Sequence, residues 1–276
     1  MKLALAITTP EVSGQPPVAL LTGSFEEKLH KARALGYDGV ELMTARPGEL
    51  DVARVRKQLR AAGLEAAAVA SGPIFMMDGL TLLADSPEKS RRAAARLDDL
   101  IDLAAGLGAP VATVGSFRGR LAWSGVGGRA YLVDLLGAAA QRAADPGVRL
   151  ALEPLNRYEA DLIQTAAEGL ELIAEVGSPA LGLLLDTFHM NIEEVDFAAT
   201  LRRVMSAGRL VHVHLGDSNR LPPGQGHFDF AALAATLQEI GYAGFLSAEL
   251  LGKPDPDSAA AATIQHMRPL ITGSNE

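Results

Sequence analysis

Four residues in the second half of this sequence have types and spacing suited to binding a metal ion: Glu153, Asp186, His214 and Glu249. Each follows or closes a short apolar run, in "VRLALE", "LGLLLD", "LVHVH" and "FLSAE". Successive members lie roughly 30 residues apart, the length of one strand–helix–strand step. Three carboxylates and one imidazole make an oxygen-rich, hard-to-borderline donor set, which suits Mn²⁺ or Mg²⁺, with Co²⁺ or Ni²⁺ as substitutes. Four protein ligands on an octahedral ion leave two positions, enough for the C2 carbonyl and C3 hydroxyl of a ketose. An ion so placed draws electron density from the carbonyl and acidifies the neighbouring C–H. A single Asp or Glu at a strand end is ordinarily a helix cap or a solvated loop group. Four in successive units are not accounted for that way, and one divalent metal site is the expectation.

To place four such groups around one centre, the strands that deliver them must be parallel neighbours. Strands are expected at 3–8, 38–43, 65–70, 110–114, 148–152, 181–185, 209–214 and 245–249. Helical patterns alternate with them near 24–35, 51–62, 87–107, 126–144, 165–176, 196–206, 229–240 and 257–271. Ser24, Asp51, Ser86, Asp229 and Asp257 are candidate N-caps. Glycine closes several helices, as in "ALGYDGVEL", "AAGLEAAAV" and "LGAPVATV". Eight β-then-α units predict an α/β protein, a single (β/α)₈ TIM barrel over 1–276 with a C-terminal helix, whose site lies at the C-terminal strand ends. An open doubly wound sheet is disfavoured, because no Gly-x-Gly-x-x-Gly follows the first strand; "GVGGR" at 125–129 follows none.

The 276 residues carry 25 Lys+Arg against 33 Asp+Glu, a formal net charge of −8, the wrong sign for a phosphate backbone. A small molecule is the expected partner, with neither nucleic acid nor membrane. The absence of cysteine excludes disulfides and thiolate metal sites. No apolar run reaches the ~18 residues of a membrane span. The opening "MKLALAITTP" is too short for a secretory leader, and a cytoplasmic protein is expected.

"EPLNRYE", "LDTFHMNIEE", "HVHLGDSNRLPPGQGHFDF" and "LSAEL" resemble the metal-dependent ketose 3-epimerases, the D-tagatose, D-psicose and L-ribulose group of the xylose-isomerase-like barrels. The spelling "EPLNRYEADLIQT" with "DSNRLPPGQGHFDF" is most similar to the 5-keto-L-gluconate epimerase branch. The resemblance implies Glu153, Asp186, His214 and Glu249 as ligands of one divalent ion, Mn²⁺ first. It further implies that Glu153 and Glu249 are the acid/base pair that inverts C3 through a cis-enediolate. Inversion by proton transfer requires a base on one face of the carbon and an acid on the other. By the same resemblance Glu159, His189 and Arg220 hold the sugar, and two or four chains associate. His212 shares a strand face with His214 and is expected to fill the barrel or to hydrogen-bond a ligand from behind.

In "GSFRGRL", Arg118 and Arg120 follow the fourth strand and are expected to reach the rim, where a guanidinium fork would suit the carboxylate of a keto-uronate. The ordinary alternative for both is a solvated side chain or a pair between subunits, and a structural ion pair with Asp217 is the alternative for Arg220. Phe75, Met76 and Met77 in "PIFMMDG" are expected to wall or cover the sugar, or to pack beneath the loop. An aldose–ketose isomerase on the same site is an alternative function, disfavoured because no Lys occurs between 90 and 252. A related apurinic endonuclease would need a histidine-rich, three-metal cluster, and there are six histidines in all. A non-catalytic metal- or sugar-binding subunit is the remaining alternative.

Overall fold

The computed structural model describes residues 1–273 and closes eight parallel strands into a barrel in sequence order. The strands are β1 (Lys2–Thr8), β2 (Gly39–Met43), β3 (Glu65–Ala70), β4 (Val111–Val114), β5 (Arg149–Leu152), β6 (Leu181–Asp186), β7 (Leu210–Leu215) and β8 (Phe245–Ala248). The helices are α1 (Phe25–Leu35), α2 (Val52–Ala62), α3 (Gly72–Asp78), α4 (Pro87–Leu107), α5 (Leu121–Ser124), α6 (Gly128–Ala144), α7 (Ala166–Val176), α8 (Thr187–Glu193), α9 (Phe197–Ser206), α10 (Phe230–Glu239) and α11 (Pro256–Thr272). All eight expected strands and eight expected helices form. The additional α3, α5 and α8 are short helices in the loops that follow β3, β4 and β6. No helix among the described residues is long and apolar enough to cross a membrane.

Capping follows the local chemistry. The side chains of Ser24, Asp51, Ser86 and Asp229 each accept an N–H of the first helical turn, as expected. Asp257 does not cap α11; Asp255 does, accepting from Ser258 N at 2.8 Å. Pro256 explains the two-residue shift, since proline is favoured at the first helical position and puts the cap on the residue before it. Asp257 instead accepts from Lys31 Nζ at 3.0 Å, tying α11 to α1.

Strand parity decides which side chains enter the barrel. Leu3, Leu5, Ile7, Leu150, Leu152, Leu183, Leu185, Val213 and Leu215 join the large cluster that packs against the helices. The alternate residues face inward, and many are small: Ala4, Ala6, Ala68, Ala70 and Ala151 are all buried. That leaves room for three long polar groups, Glu41, His212 and His214, each no more than 1% exposed. The pairing register shifts beside Glu41 between β2 and β3, and again before His212 between β6 and β7. Irregularities of this kind re-aim side chains.

Candidate active site

The same inward parity that buries Ala151 brings Glu153 to the mouth just past β5, and it places Asp186 and His214 on β6 and β7 facing the same way. Glu249 follows the end of β8. One donor atom from each of the four lies within 4.8 Å of the others. His214 Nδ1 is 3.6 Å from Glu153 Oε1, 3.9 Å from Asp186 Oδ2 and 3.6 Å from Glu249 Oε2. Asp186 divides its oxygens: Oδ1 caps α8 by accepting from Phe188 N at 2.7 Å, which leaves Oδ2 for the centre. Gly115 gives Glu153 its space, because a Cβ there would come within 2.3 Å of Glu153 Oε2.

Glu153 Oε1, Asp186 Oδ2 and His214 Nδ1 are buried and have no hydrogen-bond partner. Orphaned polar atoms of this kind are costly, and three converging on one point with a fourth carboxylate oxygen fit a divalent cation. Without one, the charges strain each other. Burial first, then the neighbouring Glu249, raises the pKa of Glu153, with His214 opposing. Burial likewise pushes Asp186 up to about 7. For His214 burial is the largest single influence and lowers the pKa, yet Glu41, Glu249 and Glu153 together hold it well above its ordinary value. Glu249 lies below the carboxylate range: burial opposes this, and His214 and Arg220 outweigh it.

Behind the four stands Glu41, an acid in the middle of β2 that the sequence reading passed over. Both its oxygens lie 3.0 Å from His214 Nε2, and Oε2 is 2.9 Å from His212 Nε2. Burial would raise its pKa, but the two imidazoles bring it far below the carboxylate range. His212 thus bonds Glu41 and stands outside the four-residue set.

The cavity over this centre has a volume of about 260 Å³, at the small end for a ligand site. Its wall includes Glu153, Glu159, His214, Arg220 and Glu249. Arg220 donates to Glu249 Oε2 at 3.2 Å and to Glu159 Oε1 at 3.3 Å, and lies over the Phe188 ring at 5.0 Å. It does so from a left-handed backbone (φ 60°) that costs a non-glycine residue energy. Asp217 is not its ion-pair partner. The Asp217 carboxylate accepts the backbone N–H groups of Ser218, Gly224, Gly226 and Phe228 at 2.7–3.0 Å, folding the loop that carries Arg220. His189 accepts from Asn156 N and approaches Asn156 Nδ2 at 2.8 Å through Nδ1; its Nε2 is unpartnered, 3.9 Å from Glu153 Oε1. Burial, then Arg220, keeps that ring neutral. Met76 on α3 lines the cavity, while Phe75 packs against Trp123 at 5.8 Å between ring centres. Of the other polar residues after β5, Arg157 pairs with Glu193, and Asp161 accepts from Leu121 N and Ala122 N.

Arg118 and Arg120 are placed differently from expectation. The Arg118 guanidinium is fully buried and donates to the carbonyls of Gly115, Glu153, Leu162 and Ile163 at 2.7–3.1 Å. Burial lowers its pKa to about 10, so it remains charged at neutral pH. Arg120 donates to the carbonyls of Tyr158 and Glu159. Neither side chain lines the cavity. Both brace the backbone from which Glu153 and Glu159 project, so neither presents a free fork to a carboxylate.

Two stability changes follow. Arg118→Met should lower the unfolding free energy by about 3 kcal/mol or more in a denaturant titration, because four buried carbonyls lose a charged donor. Asp217→Ala should cost about 1–3 kcal/mol at neutral pH. Burial, the largest single influence on Asp217, favours its neutral form, but the four N–H groups outweigh it and hold its pKa below the ordinary 3.8. Its contribution is therefore complete above the unfolded value and is lost as pH falls through the folded one. The gap between wild type and variant should narrow only below about pH 4.

The fold and site define a (β/α)₈ barrel with a buried carboxylate–imidazole cluster at its mouth, of a kind that could hold a divalent ion. The chain belongs to the xylose isomerase-like TIM barrel family, whose family model matches residues 29–270. Among curated relatives, it is 35% identical over 237 residues to an L-ribulose 3-epimerase of Mesorhizobium japonicum, covering 81% of this chain and 74% of the relative. It is 32% identical to a D-psicose 3-epimerase of Enterocloster bolteae, covering 80% and 74%. A D-allulose 3-epimerase of Methylomonas sp., solved in complex with D-allulose, superposes with a TM-score of 0.77 at 25% identity over 97% of this chain and 96% of that one. These relatives are carbohydrate epimerases, enzymes of the isomerase class.

Proposed function

We propose that this chain is a divalent-metal-dependent epimerase that inverts C3 of a ketose; its ketose 3-epimerase relatives support a sugar 3-epimerase. The observation that carries the reading is the convergence of unpartnered Glu153 Oε1, Asp186 Oδ2 and His214 Nδ1 with Glu249 Oε2 in one cavity. Those four side chains would hold the ion, Mn²⁺ by preference, and the ion would supply polarisation of the C2 carbonyl. Glu153 and Glu249 stand at the two ends of the β5–β8 arc. One, as carboxylate, takes the C3 proton, and the electron pair passes into the C2 carbonyl to give an enediolate. The other, as carboxylic acid, returns a proton to the opposite face, and the two exchange roles in the reverse direction. Glu159 orients sugar hydroxyls, while the Arg220 guanidinium and the neutral His189 Nε2–H stabilise charge developing on the C2 oxygen. A cytoplasmic dimer or tetramer belongs to the same reading.

A neutral ketose suits the cavity better than a keto-uronate. Its one guanidinium among the described lining residues, Arg220, is already shared between Glu159 and Glu249, and no lysine lines it. The lack of a lining lysine also counts against hydrogen transfer between C1 and C2. The test is kcat/KM with Mn²⁺ for D-fructose, D-psicose, D-tagatose and L-ribulose against 5-keto-L-gluconate. A neutral ketose should lead, and Arg120→Ala should leave the ranking unchanged. A keto-uronate preference that Arg120→Ala erases would contradict the substrate assignment.

A further inference from the structure

Glu41 is buried in the middle of a barrel strand, at an inward position whose layer is otherwise largely alanine. An ionised carboxylate in such a place is expensive unless it is fully paired. Its pairing is specific: both oxygens reach His214 Nε2, and one also reaches His212 Nε2. We propose that Glu41 is a positioning residue for the metal centre, fixing His214 as the Nε2–H tautomer so that the Nδ1 lone pair points at the ion.

An ionised carboxylate only accepts, so each imidazole nitrogen it meets carries a proton. With Nε2–H of His214 committed to Glu41, Nδ1 is the nitrogen left, and it faces oxygens of Glu153, Asp186 and Glu249 at 3.6–3.9 Å with no hydrogen-bond partner. His212, whose ring meets that of His214 edge-on at 5.3 Å, donates to the same carboxylate and holds it from turning away. The device reaches across the barrel from β2 to β7, and Glu41's register partners on β1 and β3 are the small residues Ala6 and Ala68. A carboxylate behind a metal-bound histidine orients the ring and strengthens it as a ligand.

The inference rests on the metal-site reading above, and its test does not depend on catalysis. Glu41→Gln removes the negative charge and keeps one oxygen for both rings, which sets its amide N–H₂ donor-to-donor against His214 Nε2–H. Calorimetric titration of the folded variant with Mn²⁺ should give a Kd weakened about 10- to 100-fold, and Glu41→Asp, which restores the carboxylate one methylene short, should recover part of the loss. Unchanged affinity in a folded Glu41→Gln protein overturns the proposal. A purely structural role would lower the melting temperature without moving Kd. Should Glu41→Gln fail to fold, ¹⁵N imidazole spectra of the Mg²⁺-loaded wild type decide. His214 protonated at Nε2, with Nδ1 shifting as Mg²⁺ is added, supports the assignment; His214 protonated at Nδ1 in the loaded protein ends it. A wild type that binds Mn²⁺ through His214 Nδ1 but leaves every ketose unchanged would sink the epimerase reading and leave this one standing.

Discussion

Glu153→Gln and Glu249→Gln should each lower kcat by about 10²–10⁴-fold or more while the barrel stays folded. Loss of a general acid or base alone accounts for that range, and both residues also belong to the donor set, so damage to ion binding adds to it. Each substitution removes a proton-transfer group and keeps the shape of the side chain. In Glu153→Gln the amide replaces an oxygen whose burial is already unfavourable to charge, so the fold should tolerate it. In Glu249→Gln the Arg220 guanidinium loses one of its two carboxylates and keeps Glu159, so a rise in KM should accompany the fall in kcat. Circular dichroism establishes folding and initial rates with saturating Mn²⁺ give kcat. Near-normal turnover in either folded variant would remove that residue from the proton-transfer pair.

The second large effect concerns the ion. Asp186→Asn should lose most of its bound metal, and with it most of the thermal stabilisation that Mn²⁺ gives the wild type. Ligand bound only by the folded state at about 100 times Kd stabilises by ~2.7 kcal/mol. For a chain of this size that corresponds to a shift on the order of 5–10 °C. The substitution separates two functions of one side chain: Asn retains an oxygen to accept from Phe188 N and cap α8, whereas the unpartnered Oδ2 that faces the centre loses its charge. The metal-free melting temperature should therefore change little, while the Mn²⁺-dependent increment shrinks. Full occupancy by elemental analysis, with an undiminished increment, would place the ion elsewhere.

The barrel was legible because its signals are periodic: eight aliphatic runs separated by capped, glycine-terminated helices permit few other folds. The convergence of Glu153, Asp186, His214 and Glu249 was legible for the same reason, since a barrel fixes where each strand ends. Glu41 was missed although "GVELM" places an acid among apolar neighbours. Strand parity puts it on the face of Met43, and the pair of imidazoles at His212 and His214 could have suggested what it meets. Arg118 and Arg120 were misplaced for a different reason. Their partners are main-chain carbonyls of the 153–163 segment, and a carbonyl carries no residue-type signal. The short α3, α5 and α8 span at most two turns, too little for a helical period to emerge from a loop.

The central claim is that protons are exchanged at C3 of a ketose over this four-residue centre. Incubation of the Mn²⁺-loaded protein with D-fructose or D-psicose in D₂O, removal of the ion and NMR of the recovered sugars read that event directly. The account predicts both C3 epimers, with deuterium at C3 and none at C1, and no exchange above background for Glu153→Gln, Glu249→Gln or Asp186→Asn. Deuterium at C1, or interconversion of the epimers with C3 still protonated, would contradict it.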